Sequence, residues 1–146
     1  MDLQAKWLQK LRKISYYIYV LIRIIFQILQ ILYFMIFKIG TIEFILIQNP
    51  PSIPNLMAIW LASIVKRYKI VIDFHNYGYT ILALNVKNKM IIKVAKWYEH
   101  FFGKKCSKAF CVSDYMKEDL KKNWNIEATT LYDRPLGKNL KSVNNS

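Results

Sequence analysis

The chain has 146 residues, of which 54% are apolar and 15% aromatic, so it is long enough for one domain and too apolar to be disordered. Its 22 Lys and Arg residues outnumber its 9 Asp and Glu residues, and the formal net charge is +13. Such a surplus favours anionic partners, namely a membrane surface, a phosphorylated ligand or nucleic acid. Because the basic residues are spread along the chain without a dense run, we expect membrane lipid or lipid phosphate and no nucleic acid.

Residues 14–37 form a long apolar segment with a single charge, Arg23. At about 1.5 Å per residue, a helix of this length could cross a bilayer, and the basic residues before it would hold that end in the cytosol. Its polar residues repeat at helical spacing, as in a helix that contacts protein on one side and lipid on the other. Three interpretations stay open: a membrane-contacting helix, a spanning helix and a buried core helix. The polar stripe is Tyr16, Tyr19, Arg23, Gln27, Gln30 and Lys38.

The remaining chain alternates predicted strands and helices. Pro50-Pro51 ends the first strand because proline has no N–H for a sheet ladder. Ser52 and Ser113-Asp114 are predicted N-caps, Gly103 is a predicted C′ residue, and 77–79 is a predicted turn. The alternation predicts an α/β fold with a parallel sheet of about four strands and right-handed crossovers. The predicted strands cover 44–48, 69–73, 108–112 and 127–132, and the predicted helices cover 52–67, 88–102 and 113–123.

Several sites are excluded by what the sequence lacks. The four glycines, at 40, 78, 103 and 137, form no glycine-rich phosphate loop, so neither a dinucleotide fingerprint nor a P-loop is present. Cys106 and Cys111 have no second Cys or His pair that would complete a zinc site, and Cys111 is expected to be buried. No Ser-His-Asp or Cys-His constellation emerges, and no metal cofactor is expected.

Polar side chains follow the first two predicted strands, at the edge where parallel sheets bind ligands. Asn49 follows the first strand, and His75 and Asn76 follow the second, which ends in Asp73. His75 is the first candidate because a histidine there can act as a general base or bind a phosphate, with Asp73 orienting it. The alternative is that these residues only terminate strands.

Four further residues are weaker candidates. Tyr77 and Tyr79 flank Gly78 and would stack on a sugar, or would simply pack the loop. Glu99 lies on a predicted helix near Lys96 and His100, where an intrahelical salt bridge is the alternative to a functional role. Arg134 follows the last strand and would meet a phosphate or a neighbouring carboxylate.

Five strings occur in order between about Phe44 and Pro135: IQNPPSIP, KIVIDFHNYGY, AKWYEHFFG, CVSDYMKEDL and NWNIEATTLYDRP. Together they resemble the chitobiosyldiphosphodolichol β-mannosyltransferase family. Residues 1–43 resemble that family only in character, as a long apolar helix before the QNPP strand.

The resemblance implies a GT-B glycosyltransferase with two Rossmann-like domains, an N-terminal acceptor domain and a C-terminal donor domain. The implied reaction is an inverting, metal-independent transfer of mannose from GDP-mannose to dolichol-diphosphate-linked chitobiose, at the cytosolic face of the endoplasmic reticulum membrane. His75 and Asn76 match the family's HN loop facing the cleft, and Arg134 and Pro135 match the end of the acceptor domain. Asn49 matches the family's other edge loop. From these matches and from the residues themselves, we expect Asn49, Asn76, Tyr77, Gly78 and Arg134 to bind the acceptor or its phosphate.

The sequence departs from a full family member because neither the first Gly-containing βαβ unit nor a donor domain is found in it. We therefore expect a basic N-terminus and membrane helix over 1–42, a partial acceptor domain over 43–136 and a frayed polar tail over 137–146. Two functions stay open beside a basic nucleic-acid binder. One is a mannosyltransferase fragment that is inactive alone. The other is an inactive, membrane-bound scaffold or acceptor-binding subunit that partners a donor-domain chain or other dolichol-pathway mannosyltransferases.

Overall fold

The structure, a computed structural model, describes residues 3–132. Arg134, Pro135 and the predicted polar tail therefore lie outside the described residues. Four parallel strands form one sheet in the order β1-β2-β3-β4, so the predicted α/β class and the four-stranded parallel sheet are confirmed. The strands are β1 Phe44–Asn49, β2 Lys69–Phe74, β3 Lys108–Cys111 and β4 Ala128–Thr130.

Five α-helices accompany the sheet in the described part of the chain, and two of them end in a π-helical turn. The cap at Ser113 is confirmed, since its Oγ accepts from the Met116 N–H at 3.2 Å. The predicted cap at Ser52 is wrong, because the second helix begins three residues later, after Pro54. The helices are α1 Leu3–Tyr33, with a π turn at Phe34–Lys38, α2 Asn55–Lys66, α3 Gly78–Asn85, α4 Lys89–Gly103, and α5 Asp114–Asp119, with a π turn at Leu120–Trp124.

One face of the sheet carries the core. Because strands added in sequence through right-handed crossovers place their helices on the same side, α2, α4 and α5 cover a single face. The inward residues of the strands, such as Ile47, Ile72 and Phe74, pack there with Leu120 and Trp124. The opposite face is open among the described residues, although parallel sheets are usually covered on both faces. It presents Phe44, Leu46, Val71 and Phe110, with Lys69 and Lys108 beside them.

Near its C-terminal end, helix α1 packs beside α2, where Ile31 and Leu32 of α1 and Met35 of the π turn join the core. Residues 14–38 are long and apolar enough to cross a membrane, and 6% of that window is buried. The interpretation of α1 as a buried core helix is therefore wrong for the residues described. The polar stripe is likewise exposed, including Tyr16 and Tyr19. The membrane-contacting and spanning interpretations both remain.

Gly103 corrects a second prediction. It is the last residue of α4, followed by Lys104 in right-handed helical conformation, and no described glycine has a positive φ. A Cβ at Gly103 would lie 3.5 Å from both Ile126 Cδ1 and Phe74 Cζ. These are ordinary van der Waals distances, so an alanine would fit here, and the glycine is needed neither for close packing nor for a left-handed turn.

The substitution Gly103→Ala tests this correction. We expect it to preserve stability or raise it by up to about 1 kcal/mol, because alanine is the better helix former and its methyl group would fill a contact distance. The measurement is urea unfolding of the full chain in detergent micelles, followed by circular dichroism. A glycine in a left-handed C′ position would behave oppositely, so a loss of 1 kcal/mol or more would contradict the helical assignment.

Candidate functional site

His75 and Asp73 form a pair at the carboxyl end of β2. The His75 Nε2 atom lies 2.9 Å from Asp73 Oδ2, and both side chains are partly exposed. The backbone N–H of His75 donates to the Asn49 carbonyl at 3.0 Å, which fixes the His75 loop against the end of β1. The sequence prediction that Asp73 orients His75 therefore matches the geometry.

This pairing defines what the imidazole can do. When Nε2–H donates to the Asp73 carboxylate, the neutral ring carries its lone pair on Nδ1. Nδ1 can then accept a proton from a hydroxyl group placed at the sheet edge, which is the role of a general base. The carboxylate also stabilises the imidazolium that results. The pair thus provides the groups for deprotonating an attacking hydroxyl group.

Asn49 is fully buried, and all the polar atoms of its side chain are used internally. Its Nδ2 donates to Glu99 Oε1 at 2.6 Å and to the Asn76 carbonyl at 3.2 Å, while its Oδ1 accepts from Ser52 Oγ at 2.8 Å. The structure therefore gives Asn49 a role in joining the loops after β1 and β2. Its predicted contact with the acceptor stays a prediction.

Glu99 is the centre of this network. Its carboxylate is fully buried, and it accepts from Asn49 Nδ2 and from two backbone N–H groups, Gly78 at 2.8 Å and Tyr79 at 2.9 Å. Those N–H groups are the first two of α3, so Glu99 caps that helix from 20 residues away along the chain. The intrahelical salt bridge with Lys96 or His100, which was the alternative to a functional role, is absent from the described ion pairs.

Tyr77 and Tyr79 pack against the aromatic ring of Trp124, with centroids 4.8 and 6.2 Å away. The Tyr77 hydroxyl donates to Asp119 Oδ2 at 2.5 Å. Burial, and then this hydrogen bond, raise the pKa of Tyr77 above its ordinary value. The aromatic cluster ties the loop after β2 to the end of α5. Sugar stacking by the two tyrosines stays a prediction, as does ligand binding by Gly78.

The structure thus separates the predicted site residues into two groups. Asn49, Gly78 and Glu99 belong to the internal network, whereas His75 and the exposed Asn76 side chain remain at the open edge. Sequence reasoning missed Ser52 and Trp124. Glu99 did carry a signal, since it lies on the buried stripe of α4, which is Ala95, Glu99, Phe102 and Gly103.

Beside this network lies a cavity of about 270 Å³ between the Pro50-Pro51 loop, α3 and α4. Its wall is mainly apolar, with Ile53 and Leu82 among its residues, and Glu99 lies at its polar end. No group of three or more His, Cys, Asp or Glu side chains suited to a metal ion occurs in residues 3–132.

The chain is similar to several curated glycosyltransferases. It is 36% identical over 133 residues to UDP-glycosyltransferase TURAN of Arabidopsis thaliana, a match that covers 90% of this chain and 29% of that protein. It is 44% identical over 93 residues to chitobiosyldiphosphodolichol beta-mannosyltransferase of Homo sapiens, covering 63% of this chain and 20% of that protein. The enzyme of the same name from Yarrowia lipolytica is 34% identical over 130 residues, covering 85% and 28%. No family model and no solved structure matches the chain.

The chain is therefore a homologue of glycosyltransferases, which agrees with its α/β fold. More narrowly, the relatives that recur are chitobiosyldiphosphodolichol beta-mannosyltransferases, so the resemblance drawn from the five strings is confirmed. The match to the Arabidopsis thaliana protein covers 90% of this chain, which is more than residues 44–146 could supply. The similarity therefore extends into the residues before Phe44, beyond the five strings. The chain spans about 20 to 29% of the length of these relatives.

The substitution Glu99→Gln tests the central network. One amide group of glutamine would face backbone N–H donors that the carboxylate now satisfies, so we expect a loss of about 1–3 kcal/mol in the free energy of unfolding. Glu127→Gln is the matched control, because the Glu127 side chain is 88% exposed and its ion pair with Lys121 Nζ, at 3.7 Å, is long and lies on the surface. This substitution should change the free energy of unfolding by less than about 0.5 kcal/mol. Urea unfolding in micelles measures both. Equal effects of the two substitutions would remove Glu99 from its structural role.

A second test uses Gly78, where an added Cβ would lie 2.1 Å from Ser52 Oγ and 3.3 Å from Glu99 Oε2. Gly78→Ala must displace the loop, so we expect a lower unfolding free energy and faster amide exchange at the start of α3. Ser52→Ala in the same chain removes the nearest atom but also its hydrogen bond to Asn49 Oδ1, so we expect the losses from the two substitutions to be less than additive. Gly40→Ala is the control, because nothing lies within 4 Å of its Cβ position. Unchanged stability of Gly78→Ala would show that the loop is looser than described.

Proposed function

We propose that this chain is the acceptor-binding part of a β-mannosyltransferase that builds a lipid-linked oligosaccharide. The observation that carries the proposal is the similarity to chitobiosyldiphosphodolichol beta-mannosyltransferases. A match that covers 90% of the chain necessarily includes the whole segment from Asn49 to Glu99, and therefore the His75–Asp73 pair and the network beneath it. The acceptor, by the names of these relatives, would be chitobiose on dolichol diphosphate.

In the proposed reaction, a hydroxyl group of the acceptor sugar attacks the anomeric carbon of mannose in GDP-mannose. The new C–O bond forms as the bond from that carbon to the diphosphate of GDP breaks, which inverts the configuration, and GDP leaves with the bonding electrons. His75 Nδ1 takes the proton of the attacking hydroxyl group, and Asp73 holds the imidazole in orientation. We propose that the exposed amide of Asn76 hydrogen-bonds the acceptor and that Arg134 contacts its diphosphate. No metal ion is required for this single displacement.

The nucleotide of the donor is a separate question. The relative from Arabidopsis thaliana carries UDP in its name, whereas the mannosyltransferase names specify no nucleotide. We propose GDP-mannose because the five strings resemble a family that uses it. A transfer assay with radiolabelled GDP-mannose beside UDP-linked sugars decides between them.

The proposed setting is the cytosolic face of the endoplasmic reticulum membrane, with α1 in contact with lipid. Its long exposed apolar surface supports membrane association, since water would contact nearly all of it otherwise. The proposed division of the chain is the membrane helix over 1–42, the acceptor domain over 43–136 and the tail over 137–146.

A second candidate is an acceptor-binding subunit without activity of its own. This candidate predicts stable co-purification with a chain that carries the donor-binding half. If adding such a partner produces mannose transfer, the chain is an acceptor-binding subunit and the interpretation as an inactive scaffold is wrong.

The catalytic assignment is tested with His75→Gln, in a protein that contains both halves of the enzyme. We expect a loss of about 10²–10⁴-fold in kcat, because glutamine cannot accept the proton. His100→Gln is the matched control, since the other histidine of the chain contacts Trp124 and its Nε2 lies 3.3 Å from the Trp124 carbonyl, away from the open edge. The measurement is mannose transfer to lipid-linked chitobiose. Near-normal turnover by His75→Gln would exclude His75 as the base.

A further inference from the structure

Helices α3 and α4 form a hairpin that stands at the carboxyl edge of the sheet. Gly78, the first residue of α3, bonds to Glu99 in α4, and three residues separate the end of α3 from the start of α4. The two helices therefore run antiparallel, with their common base at Glu99 and their tip at residues 84–90. Because β2 and β3 are parallel, α4 must run back toward the amino ends of the strands. Its residues before Glu99 therefore lie on the carboxyl side of the sheet. Ala95 and Tyr98 still pack against the body of the protein there, since Ala95 is buried and Tyr98 Oη donates to the Pro54 carbonyl at 3.1 Å.

The hairpin exposes an apolar surface that the fold does not explain. Helix α3 has the sequence GYTILALN, yet it contains no buried residue, and its Leu84 is 83% exposed. Helix α4 carries its buried stripe on one side. On the opposite side it carries a second stripe, which is apolar and exposed like the surface of α3. A helix of eight residues is only marginally stable in water by itself. Contact with an apolar environment would stabilise it, and large exposed apolar patches usually mark such contact surfaces. The exposed residues of the two helices include Ile81, Leu84, Met90, Val94, Trp97 and Phe101.

The charge around this surface has a single sign. Between Thr80 and Ser113 the only acidic residue is Glu99, which is buried and bonded within the network. Lys87 and Lys89 lie at the tip and Lys93 lies beside the apolar stripe of α4, and all three are exposed. Lys96 is also exposed, and its ammonium lies over the Tyr79 ring, 5.3 Å from the centroid. An apolar stripe with Trp97 and a flank of lysines is the pattern of a helix that lies in a membrane interface, where lysines reach the headgroups.

We propose that the α3–α4 hairpin is a second membrane-contacting surface, separate from α1, and that it binds the headgroup region of an anionic bilayer. The charge complementarity favours anionic lipid as the occupant over a second copy of this chain, whose net charge is +13. The apolar residues at the tip enter the boundary between headgroups and acyl chains, and the lysines contact the lipid phosphates. The sheet edge that carries His75 and Asn76 then faces the bilayer surface. The proposal does not depend on mannose transfer, since it concerns lipid binding alone.

The test places an environment-sensitive thiol fluorophore at Leu84→Cys in the full chain, with Cys106→Ser and Cys111→Ala removing the native thiols. The matched control is Tyr115→Cys on α5, because Tyr115 is also 83% exposed but lies outside the hairpin. The chains are reconstituted into vesicles of phosphatidylcholine and phosphatidylserine, with and without brominated lipid. We expect blue-shifted emission and quenching by the brominated lipid at position 84 and neither at position 115. Met90→Cys serves as a second probe position if Leu84→Cys does not fold.

The electrostatic part is tested by Lys89→Glu with Lys93→Glu. We expect the insertion equilibrium of the probe at position 84 to fall by roughly fivefold per lysine removed, and to fall again when salt is raised. Lys117→Glu with Lys121→Glu on α5 is the control and should leave the signal unchanged. Equal aqueous emission at positions 84 and 115 in vesicles would overturn the proposal. Concentration-dependent shielding of position 84 without vesicles would also overturn it, in favour of contact between copies.

Discussion

The carboxylate of Glu99 is the group on which the rest of the carboxyl edge depends. It is fully buried, and its three hydrogen bonds join Asn49 at the end of β1 and the first two residues of α3 to α4. Asn49 in turn bonds the Asn76 carbonyl in the loop after β2. An unpaired charge in such a position would cost several kcal/mol, so these donors must stay in place for the fold to hold. The same bonds fix the base of the α3–α4 hairpin. Through the Asn49 carbonyl they also fix the backbone of His75, which links the core of the fold to the reactive edge.

The carboxyl edge of the sheet consequently has two parts: an interior whose polar side chains are hydrogen-bonded within the protein, and an open rim whose polar side chains are exposed. Asn49 and Ser52 use their side-chain polar atoms within the network, so a ligand that bound them would have to break bonds that support the fold. His75, Asp73 and the Asn76 side chain keep exposed polar atoms. Rigid support beneath a small reactive group is what positioned catalysis requires, because misplacement of about 1 Å can cost about a hundredfold in rate. The interior of the edge therefore has a function even where it contacts no ligand.

The strands were predictable because their signals are local in sequence. Each is a short apolar run, mostly rich in Ile and Val, that ends at a proline or a polar residue a few positions later. Helix α3 was not predictable in that way, since the residue before it, Tyr77, offers no side-chain cap and the cap that forms is Glu99. Glu99 in turn had suitable neighbours for a local salt bridge, and only its position on the buried stripe of α4 indicated otherwise. Tertiary contacts decided both of these features. Gly103 was misassigned for a different reason, because a glycine that ends a helix and one that follows it in a left-handed turn look alike in sequence.

The exposed apolar surfaces of the chain differ in their charges, and this difference separates their physical roles. The segment 14–37 of α1 contains one charged residue, so its surface is suited to the hydrocarbon region of a bilayer. The hairpin has lysines at its tip and along its stripe, so its surface is suited to the headgroup boundary. A lipid-linked diphosphate sugar starts at that same boundary and extends into water. If the proposed function and the proposed lipid contact both hold, a hairpin based at Glu99 would keep the open rim at the height of the sugar, since the network, the hairpin and the His75–Asp73 pair share one edge of the sheet.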